Sequence, residues 1–353
     1  MHIIISVVSL MSLQVLAAEH PSVSELLDKY AQNADRFQSF RIKAELSVDV
    51  KLSGGIGKPP AYLNGESGRL CDVRFDGQRI SSREFMWGNL SPRGPIPKGK
   101  PAYKSFLWNG KDYWRYSRGE DPLGKVVINR KQSEYEIQRL QYGHALSGMI
   151  GYFSGSTERF DSVILKARTA SVREETEQVN GVDCFVIDAD TKHGRYSVWI
   201  DPTHGYSIAK AQVRMKHDEN HFYYGIPFNK AGRELYWTIN NLQFEEIDGV
   251  WVPVEATHEY HRLYSYQGDS SRSQTHTKVT EILMNPDHDA LGSFIPDDIP
   301  DGAKVHIVQF PSIQYTWQDG KVIDKDGKVI MDSTGEKQDA TPKQSRENKG
   351  EKK

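Results

Sequence analysis

The residues that could support chemistry in this chain occur in four short clusters. His217, Glu219 and His221 lie in the run HDENH, and His258 and His261 lie in the run THEYH. A zincin motif, H-E-x-x-H, needs its glutamate directly after the first histidine. HDENH lacks that order and predicts no metal site. Residues an odd number apart on a strand point to opposite faces, so THEYH predicts a solvated pair of histidines.

Two acidic clusters lie nearer the C-terminus. Residues 324–327 (DKDG) resemble part of a calcium loop, but Val322 occupies the first ligand position and no glutamate follows at the required distance. A turn explains them better. The second cluster is a loop, residues 287–301, whose carboxylates suit cation binding or acid and base catalysis: Asp287, Asp289, Asp297, Asp298 and Asp301. Its Pro and Gly residues favour ordinary turn chemistry, and a hydrolase that uses this loop is the weaker alternative.

Signature motifs of common enzymes are absent from the sequence. It contains no G-x-S-x-G, no Walker loop and no dinucleotide fingerprint. The chain is therefore predicted to be non-enzymatic, with no cofactor, no metal and no catalytic residue. The formal net charge is -2, from 45 basic and 47 acidic residues, which excludes the global positive field that recruits nucleic acid or an anionic membrane.

The N-terminus predicts export. Residues 1–18 form an apolar run in which Val15 and Ala17 suit the positions that signal peptidase prefers. We interpret them as a cleaved secretory signal rather than an anchor helix, because the run is shorter than the ~20 residues that span a bilayer. The mature protein is then periplasmic or secreted, without a membrane span. Cys71 and Cys184 either pair in that oxidising compartment or are two small buried strand residues.

Composition and periodicity predict a mainly β (α+β) fold. Aromatic residues make up 10% of the chain, and 29 Gly favour strands and tight turns. Ser22 and Glu25 match a capping box that begins a helix, and period-two alternation starts at Phe40. Later strands are predicted at residues 234–244, 250–263, 275–284 and 304–317. Five Asn-Gly or Asp-Gly pairs predict a meander of type I′ hairpins: residues 76–77, 109–110, 180–181, 248–249 and 319–320.

Residues 182–215 show which side of the sheet is covered. A first turn at residues 191–194 aligns three strands with one apolar face, and the register continued through the second turn places Ile200 opposite Ala209. The predicted covered face, and the predicted ligand-binding set, consists of Phe185, Ile187, Tyr196, Val198, Ala211 and Val213. Such a face is either a packed core or the wall of a ligand cavity.

A helical pattern interrupts the strands between residues 131 and 168. Its apolar stripe predicts helices over the covered face, either as a fixed cover or as a movable lid with Gly148, Gly151 and Gly155 as joints. At the other end of the chain, residues 332–353 are polar and charged, which predicts a disordered tail.

The order of helix, meander, helical insert and meander resembles the superfamily of the lipoprotein carrier LolA and its receptor LolB. The local likeness lies in FLWNGKDYWRYSRG at residues 106–119 and in the hairpin and W-I-D-P turn of residues 179–213. The resemblance implies an incomplete antiparallel barrel or curved sheet with helices covering its concave face. It places this fold at residues 19–331, with a C-terminal extension from about residue 285.

The resemblance also implies a function. The carriers hold acyl chains inside the half barrel, so we expect an exported cell-envelope protein that binds a lipid or another apolar ligand. This chain is longer than a typical carrier and looks like the uncharacterised exported branch, so no functional residue is transferred. The alternative is an envelope scaffold or interaction protein with a filled core and no ligand.

Overall fold

The computed structural model describes residues 20–53, 64–89, 94–119, 121–130, 147–264 and 269–334. The fold is mainly β, as the sequence predicts, and its main feature is one large curved sheet that stays open. The predicted signal peptide lies outside the described residues, as do residues 131–146 of the helical insert and all but the first three residues of the predicted tail.

The elements are numbered here in chain order. The helices are α1 (Val23–Ala34), α2 (Phe160–Leu165) and α3 (Phe228–Ala231), with a 3₁₀ turn at Pro202–His204. The strands are β1 (Phe40–Ser53), β2 (Gly65–Phe75), β3 (Ile80–Gly88), β4 (Ala102–Trp108), β5 (Tyr113–Arg118), β6 (Lys125–Asn129), β7 (Thr169–Val172), β8 (Glu177–Val179), β9 (Val182–Thr191), β10 (Gly194–Asp201), β11 (Ser207–Lys216), β12 (Phe222–Tyr223), β13 (Ile226–Pro227), β14 (Glu234–Ile247), β15 (Val250–Leu263), β16 (Ser270–Met284), β17 (Lys304–Ile307), β18 (Tyr315–Gln318), β19 (Lys321–Ile323) and β20 (Val329–Asp332).

The large sheet consists of two meanders joined through the N-terminal strand. Within the described ranges it has 18 strands. The first meander starts with β7 and β8, which both pair with β9, and continues through β10, β11, β14, β15 and β16. Strand β1 pairs with β16 and with β2, and β2 begins the second meander, through β6. Strands β17 to β20 extend it, and β6 and β17 are its parallel pair. The single strand predicted at residues 304–317 is wrong, because turns around Pro311 divide it into β17 and β18.

Helix α1 begins at the predicted capping box. The Ser22 hydroxyl accepts a hydrogen bond from the Glu25 N–H, and the Glu25 carboxylate accepts one from the Ser22 N–H at 2.7 Å. The helix buries Leu26, Leu27 and Tyr30 in the main core of the sheet. The cap therefore fixes where the helix starts, and the apolar stripe fixes which face meets the sheet.

The sheet buries opposite faces in its two halves. Ile80 on β3 and Trp108 on β4 are register partners and belong to the main core beside α1. The neighbouring Leu107 belongs to a second core. Successive residues of a strand point to opposite faces, so the second core lies on the other side of the sheet. The C-terminal extension closes this core with Phe294 and Trp317, so it is part of the fold.

The register predicted for residues 182–215 is confirmed in the first hairpin and partly in the second. Ile187 lies opposite Val198, and Val198 lies opposite Ala211. The predicted pairing of Ile200 with Ala209 is wrong, because a bulge after Trp199 places Ile200 opposite Ile208. A bulge adds one residue to one strand. Ala209 is that residue here, and it turns away from the main core to pack with Trp199 and Val186.

Three of the five predicted type I′ turns are confirmed. Both residues have positive φ at 180–181, 248–249 and 319–320. At the other two pairs only Gly77 and Gly110 do. There the preceding side chains form Asx turns: Asp76 accepts the Gln78 N–H at 3.1 Å, and Asn109 accepts the Lys111 N–H. These local hydrogen bonds compete with the two-residue hairpin and widen the loop.

Of the described part of the predicted insert, only α2 is helical, and residues 147–159 form turns and irregular backbone instead. This part packs tightly on the sheet. Phe153 and Phe160 are buried in the main core. The glycines predicted as lid joints are points of close contact: a Cβ at Gly148 would lie 2.9 Å from the Trp237 ring, and one at Gly151 would overlap the Tyr30 hydroxyl. This packing favours a fixed cover over a movable lid for the described part of the insert.

Replacing Gly151 by alanine is expected to destabilise the protein more than the same change at Gly181. Both glycines have positive φ, +90° and +85°, but no atom lies within 4 Å of a Cβ at Gly181. Gly181→Ala should cost about 1–2 kcal/mol from backbone strain alone, and Gly151→Ala about 1–3 kcal/mol more, from overlap with Tyr30 and Phe160. Urea unfolding of the two variants measures the difference. Equal losses would mean that residues 147–155 do not pack against α1.

Candidate functional site

A pocket opens between α1 and the main-core face of the sheet. Its volume is about 210 Å³. Its lining residues come from helix α1, the β2–β3 hairpin, the insert and the starts of β1, β11 and β15. Most of its wall is aromatic or aliphatic: Phe37, Phe40, Phe75, Ile80, Met149 and Ile208.

The polar groups of α1 that reach the pocket are bonded within the protein. The Tyr30 hydroxyl donates to the Ile150 carbonyl at 3.0 Å. The Asn33 amide donates to the Ser207 hydroxyl and to the Trp251 carbonyl, both at 3.2 Å. Burial raises the pKa of Tyr30 well above its usual value, so the hydroxyl stays neutral. These contacts leave the apolar side chains as the surface that a ligand would meet.

Arg159 brings a charge to the pocket, and two carboxylates neutralise it. Its guanidinium lies 2.7 Å from Asp161 and 2.7 Å from Asp35. Burial opposes the charged form, but the hydrogen bonds to these carboxylates outweigh burial and raise the pKa of Arg159. The guanidinium also stands over the Tyr30 ring at 5.5 Å. Because the cation is already paired, it offers little attraction to an anionic ligand group.

The size of the pocket limits what it can hold. A dry engineered cavity of about 150 Å³ takes up benzene, whereas drug-sized ligands occupy about 300–1,000 Å³. At about 210 Å³ the pocket fits one ring or a short length of alkyl chain. It suits the end of an apolar ligand rather than a whole lipid.

None of the six residues predicted as the ligand wall lines this pocket. Five are fully buried in the main core, and Phe185 packs at its margin. The pocket is lined instead by Ser207 and Ile208, at the start of the third strand of that meander. Ligand binding by the six stays a prediction. Sequence reasoning did not find the actual lining, because its residues come from segments that are distant in the chain. The aromatic residues Phe37, Phe40 and Phe75 were the sequence feature that could have indicated it.

The HDENH run forms a polar cluster around the buried His221. His221 is buried, with Nε2 3.3 Å from Asp190 and Nδ1 3.4 Å from Glu219. Glu219 also pairs with Arg195 at 2.8 Å. Across the described ranges, no group of three or more His, Cys, Asp or Glu side chains is arranged to hold a metal. The cluster ties the loop after β11 to β9.

The two histidines of THEYH point to opposite faces, as predicted. His258 contacts Trp237 edge to face at 5.8 Å in the main core, and His261 stacks on Tyr236 on the other face. The expectation that both are solvated is wrong for His258, because the Nε2 atom is buried. Burial lowers the pKa of His258 to about 4, so its imidazole is neutral at pH 7.

The Asp-rich loop, residues 287–301, crosses the second core as a strap-like segment, and its Phe294 and Ile299 are buried there. Asp297 pairs with Arg83 on β3, and the Tyr103 hydroxyl of β4 donates to Asp298 at 2.7 Å. Asp287 accepts backbone N–H groups in a local turn. These carboxylates bond to separate partners along the strap. The DKDG segment is also a turn, in which Asp324 accepts backbone N–H groups. The expectation of a non-enzymatic role stays a prediction.

The cysteines are two buried strand residues. Cys71 lies in the main core, and Cys184 lies in the small cluster with Val186 and Trp199. Both thiols are unpaired. Burial raises the pKa of each to about 12. Neither thiol is therefore a reactive thiolate at neutral pH.

Known proteins give little further help in placing the chain. No family model and no curated protein matches the sequence. The chain is similar to a solved complex of Pseudomonas aeruginosa MucA and MucB, at 12% identity and a TM-score of 0.23, over 77% of this chain and 96% of that chain. It is also similar to MucB in complex with MucA(peri), at 11% identity and a TM-score of 0.21, over the same shares. Scores this low carry no argument about function.

Proposed function

We propose that this chain is an exported, non-enzymatic cell-envelope protein that binds the apolar end of a ligand, such as an acyl chain, in the pocket beneath α1. The observation that carries the proposal is the apolar pocket of about 210 Å³. Small-molecule sites are usually concave and mostly apolar, with a few polar groups. An apolar pocket of this size beside a packed core is therefore suited to a ligand.

The proposed location rests on the N-terminal sequence. Residues 1–18 have the apolar run and small-residue end of a secretory signal. None of the helices in the described ranges has the length and apolar character that a bilayer crossing requires. Sequencing the N-terminus of protein recovered from the envelope fraction tests the export part of the proposal separately from binding.

Filling the pocket is expected to abolish uptake of an apolar ligand. Ala34, the last residue of α1, lines the pocket, whereas Gln32 on the same helix is exposed. Ala34→Trp should occupy the space with a loss of stability below about 1 kcal/mol, because little needs to move. Gln32→Trp adds the same ring outside the pocket and should leave binding unchanged. Isothermal titration with a series of straight-chain alcohols measures both effects.

The chain-length series also reports the size of the site. Each buried CH₂ adds about 0.8 kcal/mol, so affinity should rise with chain length and then stop rising once the pocket is full. If Ala34→Trp binds the alcohols as well as the wild type does, the pocket is not the site. If the wild type binds none of them, the filled-core scaffold becomes the better function.

A further inference from the structure

The face of the sheet opposite the pocket carries two arginines in an unusual arrangement. Arg195 on β10 and Arg214 on β11 are direct register partners. Residues paired in this way have their Cβ atoms about 4.5–5.5 Å apart, and like charges so placed repel each other. A nearby anion would therefore reduce the repulsion between these two guanidinium groups.

Among the residues that the structure describes, one of the two arginines has a carboxylate partner and the other has none. Arg195 pairs with Glu219 at 2.8 Å. Arg214 has no carboxylate within ion-pair distance among the residues that the structure describes, and its Nε–H is buried without a hydrogen-bond partner. A buried donor left without a partner is costly. Because the Nε–H is buried, an acceptor from outside the chain would meet the two terminal NH₂ groups of the guanidinium, which are not among the buried unpartnered atoms.

The surroundings of Arg214 form a polar groove of about 790 Å³. Thr169, Ser171 and Thr238 line it, and Tyr236 stands beside Arg214 on the next strand. Within the described part of the chain, the three Thr and Ser hydroxyls make no side-chain hydrogen bond. The groove lies within the size range of small-molecule sites, about 300–1,000 Å³.

The aspartates of the groove are engaged elsewhere. Asp188 pairs with Arg173 at 2.7 Å and accepts the Ser197 hydroxyl. Asp190 lies 3.7 Å from the Arg168 guanidinium. Their negative charges are therefore partly neutralised, and Arg214 remains as the cation that lacks a local partner.

From these observations we infer that the groove binds a polar ligand through an oxyanion, a carboxylate or a phosphate, held by Arg214. A guanidinium donates two parallel N–H groups to such an anion, which gives geometry as well as affinity. The hydroxyls of Thr169, Ser171 and Thr238 would contact the remainder of the ligand. The site is on the opposite face from the pocket beneath α1 and is independent of it.

The test compares inorganic phosphate and succinate, each against sodium chloride at matched ionic strength, by isothermal titration and thermal unfolding of the full chain. At least one of the two anions should bind saturably and stabilise the wild type, and which one does identifies the oxyanion. Arg214→Gln should weaken its affinity about tenfold or more, because charge-assisted hydrogen bonds dominate oxyanion binding. Arg272→Gln is the matched control, since it removes the same charge from β16, three strands and roughly 14 Å away.

A structural role for Arg214 predicts the opposite stability result. If the site is built for a ligand, Arg214→Gln without anion should be at least as stable as the wild type, because it removes repulsion and a buried donor without a partner. Loss of stability without anion would assign the side chain to the fold and overturn the inference. Equal anion effects in the wild type, Arg214→Gln and Arg272→Gln, or no binding of either anion, would overturn it as well.

Discussion

Replacing Val198 by aspartate is expected to lower the free energy of unfolding by about 4 kcal/mol or more, enough to leave much of the protein unfolded. Val198 is fully buried in the main core, between its register partners Ile187 and Ala211. Burying a carboxylate there costs several kcal/mol, because neither partner can donate a side-chain hydrogen bond. Urea unfolding, or the yield of folded protein where the loss is complete, measures the effect.

The matched control is Gln212→Asp on the neighbouring strand. Gln212 is exposed, and its position alternates with Ala211 and Val213, so it lies on the opposite face. Surface changes of this kind usually shift stability by less than about 0.5 kcal/mol. Similar losses in the two variants would show that the two faces of residues 182–215 are not buried as the structure has them.

Replacing Trp317 by alanine is expected to cost about 3–5 kcal/mol. Trp317 lies in β18 of the C-terminal extension, is 2% exposed, and meets Trp114 of β5 edge to face at 5.7 Å. Its removal leaves a cavity in the second core. Phe310→Ala in the same extension removes an aromatic ring that is 45% exposed and should cost about 1 kcal/mol or less.

The way in which Trp317→Ala unfolds tests whether the two cores depend on each other. Strand β4 serves both, with Trp108 in the main core and Leu107 in the second. A single sheet that shares a strand in this way should lose both cores in one transition. Hydrogen exchange at α1 and at β18, followed through the urea transition, should therefore give the same midpoint. Separate midpoints would mean that the extension folds as its own unit.

Local chemistry was sufficient to predict several elements from the amino-acid sequence. The capping box of Ser22 and Glu25 positions α1, and the period-two pattern from Phe40 identifies β1. The first hairpin of residues 182–215 has the predicted register because a one-residue slip would turn every apolar side chain to solvent. Each of these features depends on residues close together in the chain, so the pattern of side chains already carries the physical cause.

The burial of each half of the sheet and the lining of the pocket depend instead on the pairing of strands that are distant in the sequence. Strand β1 lies between β16 and β2, and β6 pairs in parallel with β17. The β1–β16 and β6–β17 pairings have no local sequence signal, because each joins segments separated by much of the chain. These pairings determine which face each half of the sheet buries. They also bring together the distant segments that form the pocket beneath α1, and this is why its lining could not be predicted.

The bulge after Trp199 is a smaller feature that the sequence pattern also did not predict. Alternation alone predicts Ile200 opposite Ala209, and the structure instead turns Ala209 to the other face. The same applies to Arg195 and Arg214, since their charges are visible in the sequence but their juxtaposition requires the register of β10 and β11. The sequence by itself therefore determined several of the elements that form and which of their residues alternate, because those follow from backbone geometry. Only the tertiary structure decided what packs against each face and which distant segments meet, because those contacts depend on strand pairings that have no local signal.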